Sequence, residues 1–171
     1  RAPSRRSTCS RLAPAQLAFG QGLAGFAVNR RRARLRHLPG PVDHDVPVLS
    51  VRDPAGRLRA VVFGYACHNT VLSGYEINGD YAGFAQEALE KLYPEATALF
   101  VTGAGADANP LPRRSVELAV RYGQTLATAV DQVLKDKMKP LDGPLQVALE
   151  RVDVPFQKPP TRQEIEERLK G

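Results

Sequence analysis

The stretch LRAVVFGYACHNT (58–70) contains an apolar run that ends in a polar loop with a single histidine. It is followed by DYAGFAQEALEKLY (80–93), in which apolar residues recur at helical spacing and predict an amphipathic helix. The next stretch, ATALFVTG (96–103), is continuously apolar, which predicts a buried strand. Strand, helix and strand in this order predict a βαβ unit, the crossover that joins parallel neighbours within one sheet.

The residues before this unit predict an antiparallel hairpin. PVLSVRD (47–53) predicts a strand that leads through the turn DPAG (53–56) into the strand 58–66. Pro at the second position of the turn and Gly at the fourth favour this connection. An earlier segment, 16–28, has β character that is interrupted by glycines.

Three further elements are predicted in the second half of the chain. A long amphipathic helix spans 115–138 with Ser115 as its N-cap, and the alternating stretch PLQVALERVDVPF (144–156) predicts a strand. The capping box TRQE (161–164) begins a last helix. The whole pattern predicts an α/β fold: a layered mixed sheet with βαβ crossovers and an antiparallel hairpin.

Three regions are expected along the chain. Residues 1–15 form a basic lead-in that is poorly ordered or belongs to a helix whose start is missing, residues 16–157 form the α/β domain, and residues 158–171 begin a truncated helix. We therefore expect the sequence to be a fragment of a larger catalytic domain. It contains no apolar stretch near the roughly 18 residues of a membrane span and no signal-peptide pattern.

Positive charge is concentrated at the start of the chain. Residues 1–42 hold nine Arg and no acid, whereas the remainder holds fifteen Lys or Arg against eighteen Asp or Glu, which together give the formal net charge of +6. The densest part is the arginine cluster, which consists of Arg30, Arg31, Arg32, Arg34 and Arg36. It indicates either an anionic partner or a solvated loop without one. Nucleic acid is not expected, because no aromatic residues interleave with the arginines.

Two loops follow the strands of the βαβ unit, GYACHNT (64–70) and GAGADANP (103–110). The carboxyl ends of parallel strands lie at the same edge of a sheet, so we expect these loops to share a site. The imidazole of His68 is suited to bind a metal ion or to act as a general base, and it is equally a common structural hydrogen-bonding group.

The second loop consists mostly of Gly and Ala around Asp107. Gly103 and Gly105 permit positive φ and close backbone approach. Successive N–H groups of such a loop can bind an oxyanion, and Asp107 can instead brace the loop through hydrogen bonds to its backbone. The loop lacks the Lys and the spacing of a phosphate-binding P-loop.

Four segments in order resemble the N-terminal catalytic domain of the neutral/alkaline, non-lysosomal ceramidase family: VNR (28–30), ACHNT (66–70), NGDYAG (78–83) and FVTGAGADANP (100–110). The resemblance covers most of residues 16–157. Members of this family hydrolyse the amide of N-acylsphingosines to a fatty acid and a sphingoid base, and their fold is an α/β domain around a zinc ion. The resemblance implies a divergent, partial domain of this kind.

The resemblance also implies roles for residues in the matched segments. His68 falls at a zinc-binding histidine of the family, within a motif similar to T-H-G/P-T. Arg30 falls at an active-site arginine of an N-R-S-P segment, and Gly79 and Asp80 match an S-G-D segment. Asn69, Asp80 and Gly105 are accordingly expected to contact substrate.

The segment G-D-V-S-P-N of the family is matched by Asp107 and Pro110. Its serine, which is tied to catalysis, is replaced by Asn109 in this chain, and the glycine before the aspartate is replaced by Ala106. Asn lacks the hydroxyl, but its amide can donate to an oxyanion or orient a water molecule. The alternative is that Asn109 caps a turn before Pro110. The remaining zinc ligands of the family are expected beyond both ends of this sequence, so the segment alone is expected to be inactive.

These observations favour a zinc-dependent hydrolase of amide bonds, whose substrate is lipid-like or another amide. Its expected catalytic residues are Asn109, Asp107 and Arg30, with His68 as a metal ligand. An anionic membrane surface is an expected partner, and a secreted or periplasmic location is favoured by the resemblance. The alternative is a non-catalytic module in which the arginine cluster binds anionic lipid or nucleic acid.

Overall fold

A computed structural model of the protein describes residues 12–31, 40–156 and 158–170. The regular elements of these residues, in chain order, are β1 (Gln16–Leu23), β2 (Ala27–Asn29), β3 (Asp45–Arg52), β4 (Leu58–Tyr65), α1 (Asp80–Leu92), β5 (Thr97–Thr102), β6 (Ala108–Pro110), α2 (Val116–Lys135), β7 (Lys139–Leu141) and α3 (Arg162–Lys170). Five strands form one sheet in the order β5-β4-β3-β1-β7, and β2 pairs with β6 in a separate two-stranded ribbon. The predicted α/β class with a mixed sheet is confirmed.

The centre of the sheet has the predicted connectivity. β3 and β4 form the antiparallel hairpin, with Val48 opposite Phe63, and the register shifts between Val51 and Arg52. β4 and β5 pair in parallel, with Tyr65 opposite Thr102, so the βαβ unit around α1 is confirmed. The second crossover differs, because α2 leads to β7 at the opposite edge, where β7 runs antiparallel to β1.

The hydrophobic core lies between one face of this sheet and the helices α1 and α2. Val46, Val48, Val61 and Phe63 point into it from the strands and are almost fully buried. Alternate residues of a strand point to opposite faces, so these four share one side. The contact between α1 and α2 is close at Gly123, where a Cβ atom would meet the backbone of Ala85 at 2.9 Å.

The opposite face of the sheet is not covered by any of the described residues. β5 shows the consequence, because Ala98 on the core side is 2% exposed whereas Leu99 and Val101 are 47% and 55% exposed. Its continuous apolar run predicted a strand that is buried on both faces, and this prediction is wrong for the outer face. The two helices that pack on the sheet, α1 and α2, lie on the same face, so the apolar character of the sequence alone did not distinguish the two sides.

The predicted strand over 144–156 is absent. These residues adopt no regular secondary structure, and their apolar side chains, such as Leu145 and Phe156, are more than nine-tenths exposed. The strand that pairs with β1 is instead the short β7, with Lys139 opposite Phe19. An alternating pattern indicates a segment with one apolar and one polar face, but a strand also needs a partner strand. Residues 144–156 pair with none of the described strands.

Side-chain caps fix the starts of two helices as predicted. Ser115 accepts a hydrogen bond from the N–H of Leu118 at 3.3 Å and caps α2. At α3, the N–H of Thr161 donates to the carboxylate of Glu164 at 2.7 Å, and the N–H of Glu164 donates to the Thr161 hydroxyl at 3.3 Å. None of the helices α1, α2 and α3 has the length and apolarity that crossing a bilayer requires.

Candidate functional site

The two loops predicted to share a site are in direct contact. The N–H of His68 donates to the carbonyl of Ala108 at 3.0 Å, and the N–H of Gly103 donates to the carbonyl of Tyr65 at 3.0 Å. A Cβ atom on Gly105 would collide with the backbone of Ala66 and Cys67, so glycine is needed for close approach. Among the described glycines the left-handed backbone occurs at Gly56 and Gly143, not at Gly105.

The side chain of His68 is half-buried and contacts the second loop. Its Nε2 atom lies 3.3 Å from the carbonyl oxygen of Ala106. Because a carbonyl only accepts hydrogen bonds, Nε2 carries the hydrogen in this contact, and the lone pair of the neutral ring is on Nδ1. The same carbonyl accepts a hydrogen bond from Nε of Arg30 at 3.1 Å, so Ala106 links the histidine to the arginine.

The first turn of α1 holds the loop that carries His68 through a hydrogen bond to the backbone of the loop. The hydroxyl of Tyr81 donates to the carbonyl of Cys67 at 2.8 Å. Burial raises the pKa of Tyr81 far above its usual range and raises the pKa of the Cys67 thiol to about 12. Both groups therefore stay neutral at ordinary pH and serve as structure beneath the loop rather than as reactive groups.

Asp80 holds the far end of the same loop. It is 5% exposed and adopts a left-handed φ of 52°. Its carboxylate accepts hydrogen bonds from the N–H groups of Val71, Leu72 and Tyr81 at 3.2, 2.8 and 2.8 Å. These contacts give it an anchoring role. A contact of Asp80 with substrate stays a prediction, as it does for Asn69, which is exposed on the loop surface.

Tyr65 connects the end of β4 to the segment that leads into β2. Its hydroxyl donates to the carbonyl of Ala24 and accepts from the N–H of Ala27 at 3.2 Å. Its ring lies 4.7 Å from that of Phe26, and burial raises its pKa to about 12. These contacts place the ribbon of β2 and β6 beside the two loops.

The ribbon brings Arg30 and Asn109 to the site. Asn109 lies in β6 opposite Val28, on the more exposed side of the ribbon. Asn109 therefore lies in a strand, and the alternative prediction that it caps a turn before Pro110 is wrong. Sequence reasoning missed β6, since a three-residue strand that contains Asn and Pro lacks the usual strand signals.

Asp107 is held by a residue that the sequence did not single out. The amide Nδ2 of Asn29 donates to the Asp107 carboxylate at 3.0 Å, and the N–H of Arg30 donates to the Asp107 carbonyl at 2.7 Å. Asp107 thus braces the loop against β2 rather than against its own backbone. Within the loop, the N–H groups of Gly105 and Ala108 bond to the carbonyls of Gly103 and Gly105, so these two donors are not free for an oxyanion.

The described residues do not by themselves fit a zinc ion. Nowhere in residues 12–31, 40–156 and 158–170 do three His, Cys, Asp or Glu side chains converge in a way that would hold a metal. His68 offers one imidazole, whereas catalytic zinc sites have about three protein ligands. Zinc as a cofactor therefore stays a prediction from the resemblance, with His68 as the ligand that this chain would contribute.

The structure brings together five of the predicted site residues: His68, Gly105, Asp107, Asn109 and Arg30. Of the arginine cluster, Arg30 and Arg31 are described, and both are exposed. Arg32, Arg34 and Arg36 lie outside the described residues, so the cluster as a surface stays a prediction.

Comparison with known proteins identifies a fold. No protein-family model matches the chain, and no curated protein matches it significantly. Neutral ceramidase from Pseudomonas aeruginosa has a similar structure, with a TM-score of 0.68 and 20% sequence identity over 81% of this chain. A ceramidase complexed with C2 is similar with a TM-score of 0.70 and 18% identity, again over 81% of this chain. The chain spans about a quarter of the length of either protein, since the match covers 25% of each.

The fold of this chain is thus that of one part of a neutral ceramidase. This confirms the resemblance at the level of fold, for a chain of low sequence identity.

Proposed function

We propose that this chain forms part of a hydrolase that cleaves the amide bond of N-acylated, lipid-like substrates, as a ceramidase does. The observation that supports the proposal is the convergence of the His68 loop, the Asp107 loop and the β2–β6 ribbon at the carboxyl ends of β4 and β5. Ligands of open α/β sheets bind at this edge. The ceramidase-like fold makes amide hydrolysis the reaction to test first.

Arg30 and Asn109 are suited to stabilise the oxygen of a tetrahedral intermediate. Attack on an amide carbonyl places negative charge on its oxygen, and fixed donors aimed at that oxygen lower the barrier. The Arg30 guanidinium carries a permanent charge and is oriented by its Nε bond to Ala106. Asn109 supplies a neutral amide donor from β6, whose backbone is fixed by Val28.

His68 supplies the proton-accepting or metal-binding group of the proposed site. The contact of its Nε2 with Ala106 leaves Nδ1 with the lone pair. We propose zinc as the cofactor, which when bound would polarise the carbonyl and activate water. That part of the proposal rests on the resemblance and on the single imidazole of His68, and residues outside the described chain would complete the ligand set.

The decisive experiment measures hydrolysis of a fluorescent short-chain N-acylsphingosine by the intact protein, together with its zinc content by elemental analysis. We expect activity, stoichiometric zinc, and loss of both in His68→Ala. A His44→Ala variant controls for removal of an imidazole that lies against the Tyr65 hydroxyl instead of the Asp107 loop. Absence of hydrolysis by well-folded protein would contradict the proposed reaction, and His68→Ala with full metal content would remove His68 from the ligand set.

We further propose that an anionic membrane surface is the partner of the arginine cluster, since Arg30 and Arg31 are exposed beside the site. A non-catalytic binding module would share this surface. The hydrolysis assay distinguishes the two functions. The proposed surface is tested by measuring its binding to an anionic membrane at increasing salt concentration, because attraction through several arginines weakens as ionic strength rises.

A further inference from the structure

Asn29 joins three separate segments of the chain at the end of β2. It is 7% exposed, and its Nδ2 donates both to the Asp107 carboxylate and to the carbonyl of Pro41 at 3.0 Å. Its Oδ1 accepts a hydrogen bond from the N–H of Arg31 at 3.1 Å. A buried amide with both ends engaged is rigid, because each lost bond would leave a polar group unpaired.

Asp107 transmits this constraint to the groups of the candidate site. Its carboxylate is bound to Asn29 and its carbonyl accepts from the N–H of Arg30 at 2.7 Å. The residue before it, Ala106, contacts both His68 and Arg30 through its carbonyl. Directly after Asp107, β6 begins at Ala108, and Asn109 is its central residue. A displacement of Asp107 would therefore move the Arg30 and Asn109 donors relative to His68.

The surroundings fit Asn29 closely and give Asp107 room to move. A Cβ atom on Gly40 would lie 2.7 Å from the amide of Asn29, so the asparagine packs on bare backbone. Asp107 also lines a cavity of about 340 Å³ together with Pro41, Val42 and Ala104. If the hydrogen bond from Asn29 were lost, the Asp107 side chain would have space to turn away from β2.

We propose that Asn29 is a positioning residue of this site, which through Asp107 fixes the Arg30 guanidinium and the Asn109 amide relative to His68. This inference rests on the proposed function. An amide is required at residue 29, because only a group that donates twice and also accepts satisfies Asp107, Pro41 and Arg31 together.

The test exchanges the two partners in the intact protein. Asn29→Ala and Asn29→Asp should each lower kcat for a short-chain N-acylsphingosine about 10- to 100-fold with little change in KM. The first removes the donor to Asp107 and the second sets two carboxylates against each other, and small misplacements of catalytic groups act on the reaction step. The exchange variant Asn29→Asp/Asp107→Asn restores an amide–carboxylate bond with reversed partners but leaves the Pro41 carbonyl without its donor, so it should be faster than Asn29→Asp and slower than the wild type. Ser50→Ala is the matched control, because Ser50 is a buried polar residue of the sheet that bonds to Ala18.

Two outcomes would overturn the role of Asn29. One is an unchanged kcat in folded Asn29→Ala, and the other is an exchange variant as slow as the single variants, which would mean that Asp107 is needed as a carboxylate in place. If Asn29→Ala does not fold, the kcat of the exchange variant compared with that of Asn29→Asp still tests the role of Asn29.

A second readout separates this inference from the proposed reaction. In ¹⁵N-arginine-labelled protein, the Nε–H resonance of Arg30 should shift and exchange faster with water in Asn29→Ala than in the wild type. An unchanged resonance would contradict the positioning role even if the protein were inactive. If the wild-type protein has no amidase activity but the Arg30 resonance still shifts in Asn29→Ala, the proposed function is refuted and the positioning role of Asn29 stands.

Discussion

Asn109 is held in place by the backbone pairing of β6 with β2. The residue lies in β6 opposite Val28, and its amide makes no hydrogen bond to the described part of the chain. If the amide stabilises an oxyanion, Asn109→Ala should lower kcat about 10²–10³-fold with an unchanged melting temperature. Asn109→Asp should be at least as slow, because a carboxylate repels the developing charge.

The outcome is read from kcat and thermal unfolding measured on the same preparation. A folded Asn109→Ala variant with wild-type kcat would refute the oxyanion role. Asn109→Ser places at this position the hydroxyl that the resemblance associates with the ceramidase family, and increased hydrolysis of N-acylsphingosine in this variant would indicate recent divergence from such an enzyme.

Single residues also show which parts of the site a sequence can disclose. His68 and Asp107 were identifiable because a titratable side chain in a small-residue loop is conspicuous. Asn29 was not, since an asparagine before a run of arginines resembles any solvated residue. Its importance depends on Asp107, which lies 78 positions away in sequence. Only the pairing of β2 with β6 brings these two residues together.

At the scale of elements, local periodicity was a reliable guide where one face of an element meets the core. α1, α2 and the β3–β4 hairpin were predicted for this reason, and the caps at Ser115 and Thr161 mark helix starts through bonds within three residues. Two failures, the missed strand β6 and the strand wrongly predicted over 144–156, concern the pairing of strands. Whether a strand forms depends on a distant neighbour, and no local pattern encodes it.

The exposed edge of β5 is protected by side chains of α1. The N–H and carbonyl of Ala98 bond to Glu90 at 3.0 Å and to Gln86 at 2.8 Å, so they are not available to another strand. Open strand edges promote association between chains. The double variant Gln86→Ala/Glu90→Ala should therefore aggregate faster on mild heating, as measured by light scattering, while Gln124→Ala on the exposed side of α2 should not. Equal aggregation of the two variants would mean that this edge is protected by other means.

For the whole molecule, the main consequence of the fold is a sheet with helices on one face and an apolar surface on the other. Phe19, Leu99 and Val101 lie on this open face and are more than one-third exposed. Phe19 and Val101 also line a cavity of about 240 Å³, together with Pro47, Leu49 and Val62 among others. Layered α/β domains usually bury both faces of a sheet, and large apolar patches on a surface promote association.

The open face should therefore cause self-association of the isolated 171-residue chain. Leu99→Lys/Val101→Lys should shift its sedimentation profile toward monomer at equal concentration, because two charges on the patch oppose contact between apolar surfaces. The free energy of unfolding should change by less than about 1 kcal/mol, as is usual for substitutions of exposed side chains. Val116→Lys, which charges an isolated exposed residue of α2 that is 54% accessible, should leave the profile unchanged. A wild-type chain that sediments as a monomer at high concentration would show that this face does not drive association.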